Sequence, residues 1–284
     1  MDLCNLSVIK GLMNQAGINF RKDYGQNFLT NRLIPEDIAE NCTDSEKSLI
    51  IEIGPGIGCL TQELATRYER VVAVEIDTGL IPILNKTLSE FENVTVINED
   101  IMKTDIQALV DKYSCGLPVS VCANLPYYIT SPILMRLIES GVKFSSITVM
   151  VQNEVALRLC AKPGSSDYGA ITAVLGYYGT VKRLFKVSAG CFVPAPKVDS
   201  AVVRIDLYDK PIYTPKNEKL FFDLIKASFE MRRKTLVNAI SAKLSHIKKE
   251  RITDALESMN LPVTIRGERL STEDFVNLSN YLFE

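Results

Sequence analysis

At 284 residues the chain suits one large domain plus a small one, and its 46% of apolar side chains can fill a sizeable core. A formal charge of −2 excludes a uniformly basic nucleic-acid binder. No apolar run approaches the ~20 residues needed to span a bilayer, and the first twenty residues carry Asp2 and no uninterrupted apolar stretch, which argues against a secretory leader. Seven cysteines, without a C-x-x-C pair and in several cases within apolar runs such as Val119-Ser120-Val121-Cys122, read as reduced core thiols of a cytoplasmic chain, with neither disulfides nor a metal expected.

Along the chain, an amphipathic segment at Leu6–Gln15 and a turn at Asn27–Leu29 lead to a predicted helix over Ile34–Asn41. Strand patterns at 48–53, 71–75, 94–97, 118–123 and 145–151 then alternate with helical stretches, which predicts a parallel sheet covered on both faces. Two further strands, near Thr180–Val187 and Ser200–Leu207, have no long helix between them and are expected to form an antiparallel edge, giving seven strands in all. Prolines 211 and 215 mark a linker, so the division is drawn at 1–208 and 209–284, with the second part helical only. Ser271 is a candidate helix cap.

Three successive strand ends carry the ligand signal. Strand 48–53 runs into Gly54-Pro55-Gly56-Ile57-Gly58, a turn that lets backbone approach a ligand closely, but its alternate glycines depart from the dinucleotide spacing G-x-G-x-x-G. Glu75 ends the next strand, where such folds place a carboxylate that accepts from ribose hydroxyls, and Asp100 follows the third, as a candidate acceptor for an adenine amino group. An adenosine ligand without phosphates fits all three, and S-adenosylmethionine is such a ligand. The predicted fold is therefore α/β and Rossmann-like, with a mostly parallel sheet and a small helical domain.

The run Asn124-Leu125-Pro126-Tyr127-Tyr128 follows the fourth of these strands. It supplies an amide oxygen on Asn124, a Leu125 carbonyl that precedes an imino nitrogen and so escapes strand pairing, and an aromatic face on Tyr127. That equipment suits a flipped-out purine held by its exocyclic amine. The bland alternative is a strand-to-helix turn with two ordinary tyrosines.

These motifs resemble those of the KsgA/RsmA family of small-subunit ribosomal RNA adenine N6,N6-dimethyltransferases. The likeness continues through Tyr24-Gly25-Gln26-Asn27-Phe28-Leu29, Met150–Ala156, Phe192-Val193-Pro194-Ala195-Pro196-Lys197-Val198-Asp199-Ser200, and Met231-Arg232-Arg233-Lys234-Thr235-Leu236. The resemblance implies cofactor contacts from Asn27, Leu29, Gly54, Glu75, Asp100 and Asn124, with Gln26 and Gly56 as neighbours. It also implies Phe192 as a second stacking face beside Tyr127; its place in a Phe-x-Pro-x-Pro turn predicts an exposed loop, with a core position in the edge hairpin as the alternative. The implied substrate is a pair of adjacent adenines in the 3′-terminal hairpin loop of small-subunit rRNA, within a pre-30S particle.

The charge is unevenly spread, which tempers the compositional objection to RNA. Residues 226–251 hold eight Lys and Arg, among them Arg232, Arg233, Lys234, Lys248 and Lys249, against Glu230 and Glu250 alone, and read as one basic helical stretch able to contact phosphates. The only histidine, His246, lies in that stretch, far in sequence from every motif. A monomer is expected, since no apolar seam stands out. Three rivals stay open on sequence: a large-subunit rRNA adenine methyltransferase of the macrolide-resistance type, a non-catalytic ribosome assembly factor, and, disfavoured by the glycine spacing, a dinucleotide oxidoreductase.

Overall fold

A computed structural model describes residues 1–18 and 26–283, so Tyr24 and Gly25 of the first shared motif lie outside the described residues. Two compact units divide the chain: Met1–Ala156 with Lys182–Asp209, and Leu157–Val181 with Lys210–Glu284. This differs from a single cut at 208/209, because residues 157–181 cluster with the C-terminal helices.

The first unit opens with α1 (Leu6–Gln15), started by Asn5, whose side chain accepts from the Ser7 N–H at 2.9 Å. Its buried Ile9, Leu12 and Met13 recur at helical spacing and pack with Phe28, Ile57, Leu80 and Ile83. After the short strand β1 (Phe28–Leu29) and α2 (Leu33–Glu40), strand and helix alternate: β2 (Leu49–Ile53), α3 (Cys59–Arg67), β3 (Arg70–Glu75), α4 (Ile81–Thr87), β4 (Val94–Asn98), α5 (Ile106–Tyr113), β5 (Val119–Asn124), α6 (Thr130–Glu139) and β6 (Phe144–Gln152). All five residues of β2 are buried, as a central strand covered on both faces requires.

The main sheet has seven strands in the order β4-β3-β2-β5-β6-β9-β7, where β7 is Gly179–Val187 and β9 is Ser200–Leu207. β2 through β6 run parallel, and β9 pairs antiparallel with β6 in the register Met150↔Val202 and Gln152↔Ser200. The later of the two edge strands is thus the inner one. A two-stranded ribbon absent from the sequence expectations joins β1 to β8 (Phe192–Val193), pairing Phe28 with Val193 and Leu29 with Phe192. Among the cysteines, Cys42 and Cys122 are buried as expected, whereas Cys115 is exposed.

The second unit contains α8 (Ala170–Tyr178), α9 (Glu218–Glu230), α10 (Leu236–Lys243), α11 (Lys249–Ser258) and α12 (Thr272–Phe283). Side-chain caps start several of these: Asn217 for α9, Thr235 for α10, and Ser271 for α12. At α12 the cap is reciprocal, with the Ser271 hydroxyl accepting from the Asp274 N–H at 3.1 Å while the Asp274 carboxylate accepts from the Ser271 N–H at 2.8 Å. Among the described residues no helix is long and apolar enough to cross a membrane.

Candidate functional site

At the carboxyl ends of β2, β3 and β5 the first unit holds a cleft walled by residues 26–29, the glycine turn, Glu52, Glu75, Ile76 and residues 124–128. An open parallel sheet places ligands at this end of its strands. Gly54, Gly56 and Gly58 all have positive φ (70°, 62° and 95°), a backbone that L side chains rarely adopt. Beside Gly54 an added Cβ would meet open space, so the backbone borders the cavity with nothing in front of it. Gly58 caps α3, and its left-handed conformation lets the turn enter the helix at once.

Glu75 is 4% exposed and held at both oxygens: Oε1 accepts from the Asp77 N–H at 2.8 Å and Oε2 from the Gly56 N–H at 3.2 Å. Burial raises its pKa above the ordinary carboxylate value, and those backbone donors oppose the rise. Two acids that sequence reasoning missed stand beside it. Asp77, buried, accepts from Gln26 Nε2 at 2.9 Å and from the Gly79 N–H at 3.0 Å, which ties the turn after β3 to the segment preceding β1.

Glu52, next to last in β2, is 1% exposed, and its Oε2 has no hydrogen-bond partner among the described residues. Burial, with the Glu75 charge adding to it and Thr61 opposing, pushes Glu52 up to about 8. A folded-state pKa above the unfolded one makes the native state bind the extra proton, so stability falls as pH rises from about 4.5 to about 8. Glu52→Gln is expected to flatten that fall, read as the thermal midpoint against pH. An unchanged slope in the variant would contradict the assignment.

Asn124 closes β5 opposite Met150 of β6, and the Leu125 N–H continues that ladder to the Met150 carbonyl at 3.2 Å. Asn124 Nδ2 donates to the Asn27 carbonyl at 3.4 Å, which leaves Oδ1 as the acceptor of that amide. The next turn closes on the Pro126 carbonyl, which accepts from the Ile129 N–H and the Thr130 hydroxyl, so those bonds fall one residue beyond the Leu125 carbonyl.

Tyr127 is half-buried and its hydroxyl lies 2.6 Å from Ser200 Oγ on β9, with Ser200 itself fully buried. Burial raises the Tyr127 pKa, the Ser200 contact lowering it in part. Ser200 thus fixes the ring against the sheet. Ser200→Ala and Tyr127→Phe are each expected to lower kcat/KM by roughly twofold to tenfold, the span of one lost hydrogen bond, with the double variant no worse than either. Additive losses in steady-state kinetics would sink this coupling.

One sequence expectation is corrected. Phe192 does not sit in an open loop: it is 4% exposed, pairs with Leu29 across the β1–β8 ribbon, and packs in the core with Leu29, Val187 and Val202. Its ribbon partner Leu29 lines the cleft, and Phe192 itself is not among the lining residues. Asp100 stands at the expected strand end but not on the cleft wall. Its Oδ1 accepts from the Met102 N–H at 2.9 Å, so part of its acceptor capacity holds its own turn. The cleft wall also includes Ile76 and Tyr128, 46% and 64% exposed, apolar surface of the kind that a bound base or sugar covers.

The basic cluster is likewise not one helical stretch. It spans the end of α9, all of α10 and the start of α11, with breaks at 231–235 and 244–248. Arg233, Lys234 and Lys248 are exposed. Arg232 donates to the Ser166 and Tyr168 carbonyls at 3.1 Å each, bracing the loop before α8, and Lys249 Nζ reaches Asn238 Oδ1 at 2.9 Å. Among the described residues no group of three or more His, Cys, Asp or Glu is placed to hold a metal ion.

A glycine cradle facing open space, a preset carboxylate at the next strand end and an unpaired buried carboxyl fit a cationic adenosine ligand, and an antiparallel strand at one side of a parallel sheet completes the pattern. These features define a Rossmann-like S-adenosylmethionine-dependent methyltransferase. Over residues 17–284 the chain matches the family model described as ribosomal RNA adenine dimethylase, and it belongs to that family.

It is 44% identical over 273 residues to the "Ribosomal RNA small subunit methyltransferase A" of Alkaliphilus oremlandii (strain OhILAs), covering 96% of this chain and 95% of that one. It is 46% identical over 276 residues to the protein of the same name from Lachnoclostridium phytofermentans, at 96% and 95% coverage. Among solved structures it resembles a dimethyladenosine transferase from Plasmodium falciparum (TM-score 0.75, 26% identity, 88% of this chain and 95% of that one). It also resembles the 23S rRNA methyltransferase ErmE (TM-score 0.70, 25% identity, 91% and 100%).

Proposed function

We propose that this chain transfers methyl groups from S-adenosylmethionine to N6 of two adjacent adenines in the 3′-terminal hairpin loop of small-subunit rRNA, giving N6,N6-dimethyladenosine late in 30S biogenesis. What supports the reading is that Asn124 and Leu125, the proposed acceptors, line the same glycine-bordered cleft as Tyr127, whose hydroxyl is anchored on Ser200. The relatives named for the small subunit support it over the large-subunit reading.

When bound, S-adenosylmethionine supplies a methyl group on a cationic sulfur. Glu75 would hold its ribose, the Gly54–Gly56 backbone and residues Gln26, Asn27 and Leu29 would border it, and the second oxygen of Asp100 would take its adenine amine. N6 of adenine is a poor nucleophile because its lone pair is delocalised into the ring. Two acceptors placed out of the base plane favour the sp³-like nitrogen and aim it at the methyl carbon, so Asn124 and Leu125 act by orientation and electrostatics. Tyr127 stacks on the extruded base, a contact worth roughly 1–3 kcal/mol, which offsets the unstacking cost. For the second transfer one N–H remains to be accepted. Neither a metal nor a strong base is required of these residues, since the sulfur leaves neutral and the extra proton on N6 departs to water as conjugation returns.

Arg233, Lys234, Lys248 and Lys249, with Arg232 contributing whatever its loop contacts leave free, are the proposed phosphate contacts on the second unit. We take the acting form to be a monomer in the cytoplasm, with a pre-30S particle as partner. Competition tests the substrate choice: transfer of labelled methyl to unmodified small subunits should be unaffected by added large-subunit RNA. Preferential labelling of the large-subunit RNA would overturn the reading.

A further inference from the structure

Two thiols beside the cleft take no part in the roles above. Cys4, in the segment that leads into α1, and Cys59, the first residue of α3, place their Sγ atoms 2.8 Å apart, a short step beyond the about 2.05 Å of a covalent disulfide. Both are free, Cys4 buried and Cys59 half-buried, and they lie in a surface groove lined also by Asp2, Arg32, Gln62 and Glu63. Cys59 lines the cofactor cleft as well, one residue after Gly58.

The sulfur contact differentiates the pair. The contact with Cys59 lowers the Cys4 pKa, and Arg32 adds to this against burial and the charges of Asp2 and Glu63, while the same contact, with burial, raises Cys59. Cys4 therefore ionises first and is the nucleophile, with Cys59 in place as the resolving thiol.

We propose that Cys4 and Cys59 form an oxidisable pair that hydrogen peroxide converts to a reversible disulfide, fastening the N-terminal segment to the helix behind the glycine turn. In the first step the Cys4 thiolate attacks one peroxide oxygen, the O–O bond breaks, and the departing hydroxide takes a proton as water, leaving a sulfenic acid. The Cys59 sulfur then attacks the Cys4 sulfur, the S–S bond forms, the S–O bond breaks, and a second water leaves with the Cys59 proton. Two thiols lose two electrons and one peroxide becomes two waters. The bond would clamp α1, whose buried face packs against Phe28, Ile57 and Leu80 of the cleft's supporting layer, to the first turn of α3.

The test treats the full chain with hydrogen peroxide, alkylates the remaining thiols, and maps peptides without reduction. The expected result is a Cys4–Cys59 linked peptide, the other cysteines alkylated, and full recovery of free thiols with dithiothreitol. The thermal midpoint should rise by several degrees on oxidation, because a loop between residues 55 apart is closed in the unfolded chain, and this rise should vanish in both Cys4→Ser and Cys59→Ser. Recovery of Cys4 and Cys59 as separately alkylated or over-oxidised residues, or pairing of either with another cysteine, would overturn the proposal without any variant being needed.

Discussion

Asn124→Ala is expected to lower methyl transfer by about 10²-fold or more while changing cofactor affinity much less, the loss typical of one transition-state hydrogen-bond acceptor or donor removed from a preorganised site. The asymmetry follows from the role proposed for the amide oxygen. Nδ2 donates to the Asn27 carbonyl, so Oδ1 is the acceptor the amide has left, on a residue that lines the cleft. What the variant loses is an acceptor whose bond to N6–H strengthens as the nitrogen pyramidalises. The backbone survives, since Asn124 sits at the end of β5 with its neighbour Leu125 still bonded to Met150. Single-turnover transfer alongside calorimetric cofactor binding checks both halves. Unchanged turnover would remove Asn124 from the chemistry, and a matching loss of cofactor affinity would move it to a binding role.

Glu75→Ala is expected to weaken S-adenosylmethionine binding by roughly tenfold to 150-fold, the range of one lost hydrogen bond to a charged group at about 1.5–3 kcal/mol. Both carboxylate oxygens are already fixed by the Gly56 and Asp77 N–H groups, so the side chain presents its remaining lone pairs with little entropy left to lose. The same change strips Gly56 of a partner and loosens the glycine turn. The pH dependence has a definite sign. Burial raises the Glu75 pKa, and the charged form is the double acceptor, so affinity should fall as pH drops through a value above that of an ordinary glutamate. Glu75→Gln should bind more weakly at neutral pH but with a flatter profile. Calorimetric titration of wild type and both variants across pH provides the check, and wild-type affinity in Glu75→Ala would refute the assignment.

Strands and glycine turn were legible because each is a local pattern: β2 is five apolar or buried positions in a row, and the alternate glycines follow it directly. Asn124 and Tyr127 were legible for the same reason, as a short run at a strand end. Phe192 was not, because its environment is made by a two-residue ribbon with β1, and two residues carry no period from which pairing can be read. Asp100 was placed correctly by position, yet whether its carboxylate faces the cleft or its own backbone is a matter of turn geometry.

Asp77 is tied to the cleft wall through Gln26, a partner 51 residues away in sequence. Glu52 did leave a signal, an acid inside the apolar run Leu49–Ile53, which calls for a reason to bury a carboxyl. The linker near residue 210 was marked by prolines, but the other two unit boundaries fall within α7 (Asn153–Leu159) and within β7, where regular structure continues and no turn residue marks the crossing.

The most direct test of the central claim is the site of methylation itself. Small subunits lacking the modification are incubated with the protein and S-adenosylmethionine, the rRNA is cut to fragments, and each fragment is read by mass spectrometry. The expected result is N6,N6-dimethyladenosine at two neighbouring adenines of the 3′-terminal hairpin loop and nowhere else. Methylation confined to large-subunit RNA, or tight cofactor binding with no methyl transferred to either subunit, would contradict it.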